Sequence, residues 1–355
     1  MSQVTVLMAV YNGMPYLPAA MDSILNQTFS DFEFLIVNDC STDETRNIIL
    51  SYDDSRIRLL DNSENIRQTK SLNRGLASTR TEFVARMDAD DISHPTRLEK
   101  QAAYLKSHPE VAVAGTFLRY IDVEGRVTGS QTHPDYDEAI RWMQLFYCPI
   151  TNGSAMFRKS VIWDRLKGYD ETVSVSQDWE LWSRVPRECK LANVPDPLLD
   201  VRLHPEQYSK SAEGRQEEKQ INRDNLRRVL CITEDSEEWL RKVDLLLWEE
   251  RHACRRHPDH FLEVLEVMYA QFSDLYPGAS EDPYILEQLA LQYFRAADSS
   301  GLRHVPTAIR ALQLAWPICS KGLYARRFFR WLAIFAGLRQ IKDWLRIGAG
   351  TAQTV

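Results

Sequence analysis

Between Val4 and Met87 the chain alternates short apolar runs with amphipathic segments, and that alternation leaves few folds open. Val4-Thr5-Val6-Leu7-Met8-Ala9-Val10 is almost continuously apolar, as a strand covered on both faces must be. It stops at Tyr11-Asn12-Gly13, a turn signal, and Pro15 then opens a helix where a missing N–H costs nothing. Leu17, Ala20, Met21, Ile24 and Leu25 recur at helical spacing and form one apolar face. Phe32 to Val37 repeats the strand pattern, and Ser41 and Glu44 have capping-box spacing for a second helix. Ile57 to Leu60 reads as a third strand, Thr69 to Ala77 as a helix, and Thr81 to Ala85 as a fourth strand. Strands alternating with helices build parallel βαβ units, so an α/β domain with a mainly parallel, Rossmann-like sheet is expected.

In open α/β sheets, ligands bind outside the carboxyl ends of the strands. Acids stand at two such ends: Asp39 after the second strand, and Asp88, Asp90 and Asp91 after the fourth. Carboxylates held this close repel one another and are costly to desolvate. A hard divalent cation such as magnesium or manganese removes that cost, which makes Asp88-Ala89-Asp90 a candidate for a metal bridging to a diphosphate. An acidic turn capping the following helix is the other reading of the same residues. No G-x-G-x-x-G follows the first strand and no G-x-x-x-x-G-K-[ST] occurs, which argues against a dinucleotide enzyme or a P-loop NTPase.

Farther on, Leu98, Ala102 and Leu105 mark a helix, Val111 to Gly115 and Phe117 to Ile121 two strands, and Glu124-Gly125 a hairpin turn. Residues 135–146 read as a helix and Ser154 to Arg158 as a strand. Asp178 heads a helix that carries Trp179 and Trp182; it is either a general base or an acid favoured by the helix dipole. Leu198 to Leu203 is a last strand leading into His204, a metal ligand or a structural histidine. From about Glu213 strand signals vanish, so residues 1–212 read as the α/β domain and 213–355 as a helical domain broken near Pro258, Pro277, Pro283, Pro306 and Pro317. Between about residues 321 and 347, Arg326, Arg327, Arg330, Arg339 and Arg346 interleave with Phe328, Phe329, Trp331, Phe335 and Trp344 at helical spacing. That pattern suits a helix lying on an anionic membrane face, or a terminal helix packed on its own domain.

The formal net charge of −7 argues against general nucleic-acid binding. Cys40, Cys148, Cys189, Cys231, Cys254 and Cys319 form no C-x-x-C pair and read as reduced thiols of a cytosolic protein. No secretory signal is visible and no apolar stretch is long enough to span a bilayer.

The N-terminal half resembles the family 2 glycosyltransferases of GT-A fold. The resemblance rests on Val10-Tyr11-Asn12-Gly13, Val37-Asn38-Asp39-Cys40-Ser41-Thr42-Asp43, Leu72-Asn73-Arg74-Gly75-Leu76, Ala85-Arg86-Met87-Asp88-Ala89-Asp90-Asp91, Gly168-Tyr169-Asp170-Glu171, Gln177-Asp178-Trp179-Glu180-Leu181-Trp182 and Arg202-Leu203-His204. These pieces run in family order across roughly residues 3 to 210. The resemblance implies transfer of a sugar from a UDP-sugar donor, with inversion, to a glycan or lipid-linked acceptor at the cytoplasmic side of a membrane. Asp178 matches the family's base, Asp90 the metal ligand of the D-x-D motif (Mn2+ or Mg2+), and His204 a position that in some members completes the metal or diphosphate site. Asp88 matches the residue on the ribose side, Asp39 the acid facing uracil, and Ala9 and Tyr11 the positions lining the base. The chain departs from the family at Gln177, where many members have Glu, at Arg67, where many have Gly and where phosphate contact becomes available, and at Thr151, where His is frequent. Two other functions compete: a sugar nucleotidylyltransferase, for which the Gly-rich basic loop is absent, and a degenerate, scaffolding transferase, against which Asp39, Asp88, Asp90 and Asp178 stand together.

Overall fold

The computed structural model describes residues 3–204, 212–230, 258–300 and Leu314. Two compact units divide the chain, Met1–Cys231 and Ile232–Val355. In the first, β1 (Val4–Val10), α1 (Leu17–Leu25), β2 (Phe32–Asn38), α2 (Thr45–Ser51), β3 (Ile57–Asp61), α3 (Gln68–Ser78) and β4 (Phe83–Met87) alternate as the apolar runs require. The remaining described strands and α-helices are β5 (Ile92–Ser93), α4 (Arg97–Ser107), β6 (Val111–Ile121), β7 (Val127–Gln131), α5 (Asp137–Met143), β8 (Met156–Arg158), α6 (Gln177–Ser183), β9 (Lys190–Arg202) and α7 (Ala212–Leu230). The sheet runs β3-β2-β1-β4-β8-β6-β9-β5, with β7 on β6. β3, β2, β1 and β4 are parallel, and so are β6 and β9; β8 joins the two groups antiparallel to both β4 and β6.

β1 is central and shows why its sequence is apolar throughout. Val4, Val6, Met8 and Val10 face a core shared with Leu17, Met21 and Ile24 of α1 and Leu98 and Leu105 of α4. Leu7 and Ala9 face the opposite core, with Leu72 and Leu76 of α3 and Trp182 of α6. The pleat sends alternate residues to opposite faces, so a strand covered on both sides can have no polar face.

Four local expectations change. Pro15 lies ahead of α1, in a cis Met14–Pro15 turn, because the Gly13 carbonyl accepts the N–H groups of both Tyr16 and Leu17; Pro18 takes the place in the first helical turn. The Ser41/Glu44 capping box does not form: the Ser41 hydroxyl accepts the Asn12 N–H, and Asp43 Oδ1 accepts the Thr45 N–H at 3.0 Å. The two strands read at 111–115 and 117–121 are one strand with a register shift between Thr116 and Phe117. The same shift sits opposite Pro195 and Asp196 of β9, and prolines in a strand are tolerated at such bulges. Those prolines hid the first half of β9 from a propensity reading.

The compositional change near residue 213 marks α7. α7 belongs to the compact unit Met1–Cys231. Asn222 Nδ2 donates to the Leu145 carbonyl, and Arg228 Nη1 donates to Glu180 Oε1 and Ser183 Oγ, which ties α7 to the first unit. In the second unit α8 (Pro258–Leu275) and α9 (Pro283–Ser300) flank a 3-10 turn at Pro277–Ser280. Each of these three prolines begins its element, where a missing N–H is harmless. Pro306, Pro317 and the basic segment 321–347 lie outside the described residues. Among the described residues, no helix is long and apolar enough to cross a membrane.

α3 sits close on β1 because Gly75 has no side chain: a Cβ there would lie 2.3 Å from Leu7 Cδ1. Gly75→Ala should therefore destabilise the first unit by about 1–3 kcal/mol through overpacking. A urea unfolding midpoint unchanged from wild type would show that the helix shifts at no cost.

Candidate active site

The acids of interest gather at the carboxyl ends of β2 and β4. Asp39 follows β2 and is buried, and its Oδ1 accepts from Asn62 Nδ2 at 2.6 Å and from the Ile66 N–H at 2.9 Å. The Asn62 amide also donates to Ser71 Oγ of α3 at 2.8 Å. Ala9 lies beside Val37 in the β1–β2 register, and Tyr11 just beyond it is exposed. The loop after β1 is fastened to the loop after β2: the Asn12 N–H donates to Ser41 Oγ, the Gly13 N–H to Thr45 Oγ1, and the Thr42 N–H to Asn12 Oδ1. Arg67 precedes α3 at a φ of 71°, a region that favours glycine, and its side chain is exposed.

Beneath the acidic loop lie two arginines with no solvent exposure, Arg86 and Arg97. Arg86 Nη2 donates to Asp88 Oδ1 at 2.6 Å. Arg97 Nη2 donates to the Arg86 carbonyl at 2.6 Å and its Nε to Gln101 Oε1 at 3.0 Å. Burial pulls the Arg97 guanidinium down to about 10, against the attraction of Asp91. Above them, Asp90 Oδ2 meets His204 Nε2 at 3.0 Å, and His204 packs against the Tyr16 ring with centroids 5.2 Å apart. Burial and the Asp88 charge raise the Asp90 carboxyl. Asp91 is buried more deeply; its Oδ1 accepts the Arg202 N–H, and burial with the charges of Asp90 and Asp88 holds it well above the usual carboxylate range.

These residues fit a divalent ion. Among the described residues no cluster of three or more acidic, histidine or cysteine side chains is arranged to hold one alone. Asp90 and His204 nevertheless converge, and neighbouring carboxylates that repel one another gain from a cation. Ions of the magnesium class are commonly held by one or two carboxylates together with substrate phosphates, without a full protein cage.

Asp178 enters from another direction, at the start of α6. Ser176 stands before the helix with φ 56°, a left-handed residue that turns the chain sharply into it. Asp178 Oδ1 accepts the Trp179 N–H at 2.9 Å and Oδ2 the Asn152 N–H at 3.2 Å. Burial pushes its carboxyl up to about 6; backbone hydrogen bonds oppose the rise and the Asp88 charge adds to it. Trp179 and Trp182 anchor the helix by donating from Nε1 to the carbonyls of Gln144 and Ile150, so both the base and the packing readings of this segment have their residues. The turn Asn152–Ser154 links the two groups of acids. Asn152 bonds Asp178, and a Cβ on Gly153 would lie 2.8 Å from Asp88 Oδ2 and 3.2 Å from Asp91 Oδ2.

Asp88, Asp90 and His204 thus stand around one loop, with Asp178 joined to it through Asn152 and Gly153, while Asp39, Ala9 and Tyr11 form a separate end at β1 and β2. Sequence reasoning passed over Arg86, Gly153 and Gln68. An arginine within an otherwise apolar strand was the available signal, because a buried charge needs a partner.

A family model described as Glycosyl transferase family 2 matches residues 5–166. An uncharacterized glycosyltransferase of Haemophilus influenzae is 34% identical over 63% of this chain and 73% of its own length. The chain belongs to glycosyltransferase family 2. An O-antigen biosynthesis glycosyltransferase, WbnJ of Escherichia coli, is 31% identical over 60% of this chain and 84% of its own. Among solved structures, S. aureus TarS 1-349 in complex with UDP-GlcNAc superposes with a TM-score of 0.53 at 17% identity, covering 91% of this chain and 93% of that one. That likeness shows the GT-A fold. The protein is a glycosyltransferase by family, which removes the nucleotidylyltransferase alternative.

In this family 2 glycosyltransferase, Gly153→Ala should displace Asp88 or Asp91 by several tenths of an ångström. A bulkier residue in a packed site costs about 1–3 kcal/mol, so the expected outcome is a weakened donor KM together with a melting temperature lowered by a few degrees. A variant with wild-type donor KM would show that the carboxylates are not fixed by this turn.

Proposed function

We propose that the protein is an inverting transferase that moves a sugar from a UDP-sugar to a hydroxyl of a glycan or lipid-linked saccharide, with Asp178 as the base. The observation that supports this best is the two-residue bridge, in which Asn152 holds Asp178 while Gly153 abuts Asp88. It brings a carboxylate suited to take a proton next to carboxylates suited to hold, through a cation, the diphosphate of a donor. Asp178 takes the proton of the acceptor hydroxyl. The acceptor oxygen forms a bond to the anomeric carbon as the bond from that carbon to the diphosphate oxygen breaks, and the electron pair leaves with UDP. Attack opposite the leaving group inverts the anomeric centre.

Asp90 and His204 would hold Mn2+ or Mg2+, which supplies charge stabilisation for the departing diphosphate when bound. Asp88, fixed by Arg86, serves the ribose side; Asp39 accepts from the uracil ring, Ala9 and Tyr11 line it, and exposed Arg67 reaches the phosphates. The UDP-GlcNAc complex of the structural neighbour supports a UDP-linked donor, and the O-antigen relative supports a glycan acceptor. A peripheral site at the cytoplasmic face of a membrane, held by the basic segment 321–347, suits a lipid-linked acceptor. Basic residues near an anionic surface contribute roughly 1 kcal/mol each.

A base is active when ionised, and Asp178 is pushed up to about 6. Transfer should therefore fall tenfold per unit of pH below about 6 and level off above it. Asp178→Asn should bind UDP as wild type does and lose about 10² to 10⁴ in turnover, the usual cost of removing a general base. UDP release from a panel of UDP-sugars, with Mn2+ and a saccharide acceptor, measures both. Normal turnover in Asp178→Asn, or a rate independent of pH between 5 and 7, would reduce Asp178 to a helix cap.

A further inference from the structure

α3 and α6 are separate in sequence, yet their first residues touch. Gln177 Nε2 donates to Gln68 Oε1 at 3.0 Å, and Gln68 Nε2 donates to Asp88 Oδ1 at 3.3 Å. Asp88 Oδ1 also accepts from Arg86 Nη2 at 2.6 Å. A second tie runs alongside, from Thr69 Oγ1 of α3 to the carbonyl of Val173, just before α6, at 2.9 Å. Gln177 is buried and Gln68 is exposed.

The chain of amides has one direction. The carboxylate paired with Arg86 only accepts, so the Gln68 amide must turn its NH2 group toward Asp88 and its carbonyl toward residue 177. Residue 177 must then donate, which Gln does and Glu does not. A Glu there would set a carboxylate against the Gln68 carbonyl. Turning Gln68 around to satisfy it would set that carbonyl against Asp88. Gln68 and Gln177 are therefore a matched pair in this chain.

We propose that Gln68 and Gln177 form an amide relay that ties Asp88 at the donor side to the start of the helix bearing Asp178, making Gln68 a positioning residue for the transfer. The relay rests on the proposed donor site and base. Asp88 is held from below by buried Arg86, so it is the fixed end; the relay orients the first residues of α6, Gln177 and Asp178, ahead of the anchoring rings of Trp179 and Trp182. Removing the relay leaves the donor contacts in place and loosens the base relative to the anomeric carbon. Small misplacements of a reacting group lower turnover more than binding.

The test uses the full chain with Mn2+, UDP and a UDP-sugar found to be turned over by wild type. Gln68→Ala, at an exposed position, should keep the wild-type melting temperature and bind UDP within about twofold, while kcat falls roughly 10- to 100-fold. Gln177→Ala should lose a similar amount, and the double variant should be no worse than the poorer single one, as for residues acting as one unit. Hydrogen exchange gives a readout that needs no turnover: UDP with Mn2+ should slow exchange over residues 177–183 in wild type and not in Gln68→Ala. Unchanged kcat in Gln68→Ala, additive losses in the double variant, or equal UDP protection of α6 in both proteins would overturn the relay. Absence of any UDP-sugar turnover and of UDP binding by wild type would instead overturn the donor reading beneath it.

Discussion

Two buried guanidinium groups set the geometry on which the rest of this site depends. Arg86 and Arg97 have no exposure to solvent, and an uncompensated charge in such a place costs several kcal/mol. Arg86 is answered by Asp88, and Arg97 by the Arg86 carbonyl and Gln101. Gln101 in turn donates to the carbonyls of Ala114 and Ser154. One polar chain therefore stitches β4, α4, β6 and the turn that carries Asn152 and Gly153. The acidic loop cannot move without breaking several buried hydrogen bonds, which holds Asp88 in place.

Above that fixed layer the acids do not share one environment. Asp88 is neutralised by Arg86, Asp90 is shared with His204, and Asp91 is buried against a backbone N–H with its carboxyl held high. The sequence run Asp88-Ala89-Asp90-Asp91 thus contains three carboxylates with three duties. Asp91 is structural, joining the loop to β9 through Arg202. Burial raises the Asp90 carboxyl and the Asp88 charge adds to it, and that repulsion is what a cation would relieve.

Much of this was legible in the sequence because burial on both faces of β1, β2 and β4 forces a pattern that few polar substitutions can disturb. The strand ends followed from that pattern, and with them Asp39, Asp88 and Asp90. What escaped depends on contacts between distant segments. Ser41 and Glu44 have the spacing of a cap, but Asn12 claims the Ser41 hydroxyl. The first half of β9 carries Pro195 and Pro197, which propensity places outside a strand and which a register shift accommodates. Gln68 carries no motif at all; its role appears only when α3 and α6 meet. Arg86 was visible as a letter inside the motif, yet its burial under Asp88 is a property of the packed sheet.

The central claim is that the loop held by Arg86 and Arg97 binds a nucleoside diphosphate through a divalent ion at Asp90 and His204. Calorimetric titration of UDP into the full chain, once with Mn2+ and once with EDTA, tests it most directly, with Asp90→Ala measured beside wild type. UDP should bind wild type tightly only with Mn2+, and Asp90→Ala should lose that dependence together with most of the affinity. Equal UDP affinity in Mn2+ and EDTA, for both proteins, would contradict the claim.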